Sequence, residues 1–195
     1  MTQGIELTIE QLGMLTDEVR RPEGPGDAAH TKAFNSEMVE AMRVGRGRAD
    51  GELGGLQLLI LISTGRKSGL PRENPVSYFM FEGRAFMLAS MGGADINPQW
   101  FHNVAANPNV EIEWFGERFA AQAIPLEGGE RDRVFAEICR QAPIFSEYQS
   151  RTERALPVVE VVAPDVDFDA ILARDPWIDG KPGDGNGGAD RVYSR

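Results

Sequence analysis

Arg66, Lys67 and Arg72 fall within seven residues of a chain whose formal net charge is −10, and Glu73 is the one acid near enough in sequence to offset them. The stretch reads STGRKSGLPRENP, and Gly65, Gly69 and Pro71 break it into a turn. A glycine turn can aim several backbone N–H groups into one concavity. Arginine grips an oxyanion with two parallel hydrogen bonds, and lysine adds a point charge. The chemistry on offer is anion binding, with solvated surface charge as the plain alternative. The stretch lacks the G-x-x-x-x-G-K-[ST] spacing of a nucleoside-triphosphate loop. An acidic chain has little attraction for nucleic acid or an anionic membrane. One small phosphorylated ligand is the partner this pattern favours.

Two further stretches carry candidate chemistry. In ASMGGADINPQWFHN, Gly92-Gly93 permits a close backbone approach. Asn97-Pro98 predicts a helix capped by Asn97, with partial positive charge at its start. Trp100 and Asn103 share a face of that helix. Trp100 is as readily core as ligand wall, whereas a buried Asn103 amide demands partners. In APIFSEYQSRTERALP, Phe145, Tyr148 and Thr152 recur at helical spacing. Such a stripe is more often core, but a buried Tyr148 phenol needs a hydrogen-bond partner and can donate to a substrate. Cys139 is the one cysteine, and His30 and His102 lie far apart, so no disulfide within the chain and no metal site is expected. Gly183, Gly185 and Gly188 match G-x-G-x-x-G without a strand before or a helix after them. Glu111 and Glu113 read as the solvent face of a strand.

The elements that must position these residues follow from periodicity. A helix is expected over Ala28–Val44, with Phe34, Met38, Ala41 and Met42 on one face and Gly45, Gly47 and Gly51 ending it. Leu56–Ile62 is a dense aliphatic run, the mark of a strand covered on both faces. A hairpin turns at Glu82-Gly83. Val110, Ile112 and Trp114 alternate with acids, and Gly116 turns the chain into a further strand, ERFAAQAIPL. Residues 129–142 are helical with Val134, Phe135 and Ile138 on one face; a second helix over IFSEYQSRTERA and a strand in PVVEVVAP follow. Strands outnumber crossover helices, so the expected class is mainly β with flanking helices (α+β), an antiparallel barrel. The expected organisation is a loosely ordered arm over 1–27, the barrel over 28–164 and a flexible tail over 165–195. There is no apolar run of about eighteen residues and no leader pattern, so a cytoplasmic protein without stable membrane insertion is expected.

Taken together over Lys32–Pro164, TGRKSGLPRENP, ASMGGADINPQWFHNVAANPNV and YQSRTERALPVV resemble the deazaflavin-dependent nitroreductase family. Its members are split β-barrel, FMN-binding-like proteins related to flavin oxidoreductases of the pyridoxamine-phosphate-oxidase type. The resemblance implies coenzyme F-420, an 8-hydroxy-5-deazaflavin with a phospholactyl-polyglutamate tail. It implies that Arg66, Lys67, Ser68 and Arg72 hold that tail. Pro75, Ser90, Met91, Gly92, Gly93, Trp100 and Asn103 match positions beside the ring, with Met91 standing where the family often has lysine. Ser77, Phe145 and Tyr148 match an acceptor wall that is richer in tyrosine elsewhere in the family; Ala142 lies with them. Tyr148 and Ser90 are the implied catalytic residues, donating a proton or fixing the acceptor. The implied reaction is reduction of a quinone, enone or nitroaromatic by reduced F-420. An FMN-dependent oxidoreductase and a non-catalytic barrel binding fatty acid or F-420 remain alternatives. A homodimer is common in barrels of this class.

Overall fold

Strand β1, Leu58–Thr64, is aliphatic throughout because both of its faces are covered. Leu59 and Leu61 point into the barrel, while Leu58, Ile60 and Ile62 pack against Met38, Val39 and Met42 of helix α1, Ala28–Val44. The structure, a computed structural model, describes residues 28–44 and 57–173. The expected arm over 1–27, the glycines after α1, residues 174–195 with their glycine run, and the Phe34 side chain lie outside the described set. The expected strand start at Leu56 lies there too; the observed strand runs to Thr64, two residues beyond Ile62.

Among the described residues, six strands close an antiparallel barrel in the order β1-β2-β3-β6-β5-β4. The others are β2 (Pro71–Phe81), β3 (Arg84–Leu88), β4 (Asn109–Trp114), β5 (Glu117–Pro125) and β6 (Val158–Val162). Two tight turns join hairpins. Glu82 and Gly83 have φ of 53° and 70°, and Phe115 and Gly116 have 48° and 79°. Paired positive φ values are what a two-residue hairpin loop needs to match strand twist. Closure pairs every strand on both sides and leaves no open sheet.

Alternate side chains divide the strands. Val76, Tyr78, Ala85, Met87, Ile112, Trp114, Val159 and Val161 fill the interior. Phe79, Phe86, Leu88 and Val158 face outward and pack under α3 (Gly128–Gln141) and α4 (Ile144–Ser150), through Val134, Ile138 and Phe145, with Leu156 of the following segment in the same cluster. Burying each such side chain stabilises by about 1.5–3 kcal/mol. Arg84 ties β3 to β6 and α3 through Glu160 and Glu130, each at 2.7 Å.

Three expectations are revised. Pro98, not Asn97, occupies the N-cap of α2 (Gln99–Ala106), because the Asn97 carboxamide accepts a hydrogen bond from Arg154 instead. The second helix ends at Ser150, since Gln149 bonds the Thr152 and Arg154 carbonyls and pulls the chain out of helical path. Defined structure also continues past Pro164. Asp167 caps the short helix α5 (Phe168–Leu172) by accepting from the Ala170 N–H, and Ile171 enters the barrel core beside Val166, Phe168 and Leu172. Five residues are too few for a periodic pattern to stand out among the surrounding acids and prolines.

Candidate functional site

The cationic turn joins β1 to β2. The Gly65 N–H donates to the Leu70 carbonyl at 2.8 Å, and the Ser68 and Gly69 N–H groups donate back to the Gly65 carbonyl. A Cβ at Gly65 would lie 2.7 Å from Ser68 Oγ and 3.1 Å from the Leu70 carbonyl oxygen, so a side chain there would displace the Ser68 hydroxyl and press on the turn backbone. Arg66, Lys67 and Ser68 are thereby exposed at the tip. The Asn103 partners demanded by the sequence are there. Its Oδ1 accepts from the Arg66 N–H at 3.1 Å, and its Nδ2 donates to the buried Ser63 Oγ at 3.3 Å. Asn103 thus fixes the base of the turn. Arg72 leans onto the same turn, donating to Ser68 Oγ at 3.1 Å.

Glu73, the acid nearest the knot in sequence, is taken by another partner. Arg43 of α1 donates to its Oε1 at 2.7 Å and also holds Glu113 at 3.0 Å. The hydrogen bonds it donates to Glu73 and then to Glu113 push the Arg43 guanidinium above its ordinary pKa. No described carboxylate pairs with Arg66, Lys67 or Arg72. The reading of Glu113 as solvent face is corrected by the same contact, while Glu111 is exposed and pairs with Arg118.

The second constellation, Ser90–Gly93, is a turn in which Met91, Gly92 and Gly93 have φ of 50°, 63° and 84°. Gly93 is buried against α4: an added Cβ would lie 2.5 Å from the Tyr148 carbonyl oxygen. Arg154 holds this segment from behind, donating to the Ser90 and Ala94 carbonyls at 2.7 and 2.6 Å and to Asn97 Oδ1 at 2.7 Å. Burial lowers its pKa, and the charge of Asp95 opposes the shift. Arg151 donates to the Gly92 carbonyl at 3.3 Å and lies 5.0 Å over the Tyr148 ring.

The third constellation is an aromatic run on the outer face. Phe79 meets Phe145 edge-on at 5.3 Å, and Phe145 meets Tyr148 at 5.6 Å. Pro75 and Ser77 share the strand face of Phe79, because Val76 and Tyr78 point inward. Ser77 is therefore brought to the face that carries Phe145 and Tyr148. No described residue hydrogen-bonds the Tyr148 hydroxyl. Thr152 lies beyond the helix and donates to Asp95 at 2.8 Å. Trp100 joins the barrel core at 7 % exposure and so anchors α2.

Sequence reasoning missed Arg43, Arg151 and Arg154. Arg43 alone left a signal, as the cation in the last turn of a helix. Nothing in spacing or composition distinguishes Arg154 from a surface arginine.

An antiparallel barrel flanked by helices, with a cationic turn and a left-handed glycine turn, defines a split-barrel oxidoreductase. The chain belongs to the F420H(2)-dependent quinone reductase family, whose model matches residues 35–164, and its cofactor is coenzyme F-420. It is 38% identical over 105 residues to an F420H(2)-dependent quinone reductase of Mycobacterium tuberculosis, covering 52% of this chain and 70% of that one. A solved F420-H2 dependent reductase (FDR-A) is 34% identical, covering 53% and 92% of the two chains with a TM-score of 0.49. A second solved structure, described as a domain-swapped dimer, is 31% identical, covers 66% and 97%, and has a TM-score of 0.51. Among the described residues no helix is long and apolar enough to cross a membrane.

Proposed function

We propose that this enzyme reduces a quinone held against Phe145 and Tyr148, with F-420 bound along the outer face of β2 between the cationic turn and Ser90–Gly93. The observation that carries the reading is the capture of Glu73 by Arg43, which leaves Arg66, Lys67 and Arg72 without a carboxylate partner among the described residues. The donor set fits the cofactor. Two arginines, a lysine and the Ser68 hydroxyl match a phosphate and carboxylates, and the side-chain-free Gly92 suits close approach of a flat ring.

When bound, reduced F-420 supplies the hydride. Arg66, Lys67, Ser68 and Arg72 bind the tail and fix the reach of the ring. Pro75, Ser90, Met91 and Gly92 orient it; Trp100, Asn103 and Gly93 hold those elements in place from behind. Ser77 and Phe145 shape the acceptor wall. A quinone that gains hydride carries negative charge on oxygen, and the Tyr148 hydroxyl, which no described residue hydrogen-bonds, donates the proton that completes the hydroquinone, with Ser90 orienting the acceptor. Enones and nitroaromatics develop charge in the same place and are further acceptors. The domain-swapped relative supports pairing of two copies, which sedimentation in solution tests.

The test is fluorescence titration of the full chain with F-420 and, separately, FMN. Arg66→Ala or Lys67→Ala is expected to weaken F-420 binding by about 1–3 kcal/mol and to flatten its salt dependence. Wild-type affinity in both folded variants, or tighter binding of FMN, overturns the assignment.

A further inference from the structure

All four acceptors of the Arg154 guanidinium belong to one segment, Ala89–Asn97: the carbonyls of Ala89 (3.3 Å), Ser90 and Ala94, and the Asn97 carboxamide. The acid within that segment, Asp95, is bound by Thr152 rather than by Arg154. Arg154 is therefore held by three backbone carbonyls and one side-chain amide, and that backbone flanks three successive left-handed residues, one of them Met91. A left-handed methionine persists only where its surroundings enforce it. The arm that carries Arg154 is itself braced. Gln149 donates to the Arg154 carbonyl and accepts from the Leu156 N–H, and Arg131 of α3 donates to both Gln149 Oε1 and the Leu156 carbonyl.

We propose that Arg154 is a positioning residue that locks the Ser90–Gly93 turn and thereby sets the spacing between the cofactor ring and Tyr148. This rests on the reading of that turn as a cofactor contact. The mechanical chain runs from α3 through Arg131, Gln149 and Arg154 to the turn, and Gly93 transmits it to the Tyr148 backbone against which it packs. A lysine at this position keeps the charge but has no planar fork and cannot span four acceptors in a fixed geometry. The turn then relaxes toward the ordinary φ of Met91, and the ring loses its seat while the tail keeps its cations.

The test compares wild type with Arg154→Lys in the full chain. Amide exchange of the unliganded protein reads the lock directly. The Gly93 and Ala94 N–H groups, bonded to the Ser90 and Met91 carbonyls, are expected to exchange faster while β1 is unchanged. F-420 titration is expected to show affinity lower by about tenfold with the wild-type salt dependence, because the cationic turn is untouched. Adding Met91→Gly, which removes the left-handed penalty, recovers part of that loss. Unchanged exchange at Gly93 and Ala94 overturns the proposal, as does loss of protection across the whole barrel. If Arg154→Lys does not fold, Asn97→Ala removes one acceptor and carries the same comparison. Failure of wild type to bind F-420 refutes the cofactor reading instead, and the exchange data still decide the lock.

Discussion

Gly93→Ala separates close packing from backbone strain, because other glycines serve as controls. Gly83 and Gly93 both have positive φ, 70° and 84°, so alanine pays a left-handed penalty of about 1 kcal/mol at either. At Gly83 nothing lies within 4 Å of the added Cβ. At Gly93 the added Cβ lies 2.5 Å from the Tyr148 carbonyl oxygen, 3.0 Å from its Cα and 3.1 Å from Arg151 Cβ. Two of those atoms are backbone, so no rotamer change relieves the overlap. Overpacking of this kind costs about 1–3 kcal/mol more. Gly83→Ala should lower Tm by about 2–4 °C, and Gly93→Ala by about 4–16 °C, measured by calorimetry. If α4 slides away instead, the loss of Tm shrinks and the cost moves to the site, where transfer to a quinone slows. Equal Tm losses in the two variants, with wild-type quinone turnover in Gly93→Ala, would refute the argument.

Tyr148→Phe should leave F-420 affinity unchanged and lower stopped-flow oxidation of the reduced cofactor by a quinone about tenfold or more; equal rates remove Tyr148 from the chemistry. Arg43→Gln frees Glu73 to offset the cationic turn, so F-420 affinity should fall about threefold at low salt and less at high salt, with recovery on adding Glu73→Gln. The Glu130 carboxyl is held down at about 2 by hydrogen bonds from Arg133 and then Arg84. A depressed folded pKa means that its contribution is complete above the ordinary glutamate value and is lost as pH falls from there through about 2. A carbon-13 NMR titration should find Glu130 still ionised at pH 3, and its pKa should rise in Arg133→Gln.

The barrel was legible where local pattern and tertiary role coincide. The aliphatic run of β1, the two hairpin glycines and the alternating β4 each follow from a side-chain period or a backbone need that neighbours supply. Asn103 was legible as a question, since a buried amide requires partners, and Ser63 and the Arg66 N–H answer it. The arginines were not legible. Whether Arg43, Arg118 and Arg154 meet carboxylates on two strands, one on the neighbouring strand, or four acceptors on one loop depends on which distant segments the fold brings together. The cap of α2 failed for the same reason, because Arg154 competes with the helix for Asn97. The helix at 168–172 was hidden by its shortness, although Asp167 stands in a common capping position.

The alternation along β2 keeps two kinds of change apart. Val76 and Tyr78 look into the filled barrel, while Pro75, Ser77 and Phe79 look out, Phe79 onto Phe145 of α4. A substitution at half-buried Ser77 alters the outer surface without opening a void inside the barrel, whereas one at Val76 or Tyr78 does the reverse. On the proposed site, descendants of this chain can therefore change their acceptor by small steps at half-buried Ser77 or Ala142, while the barrel interior stays filled.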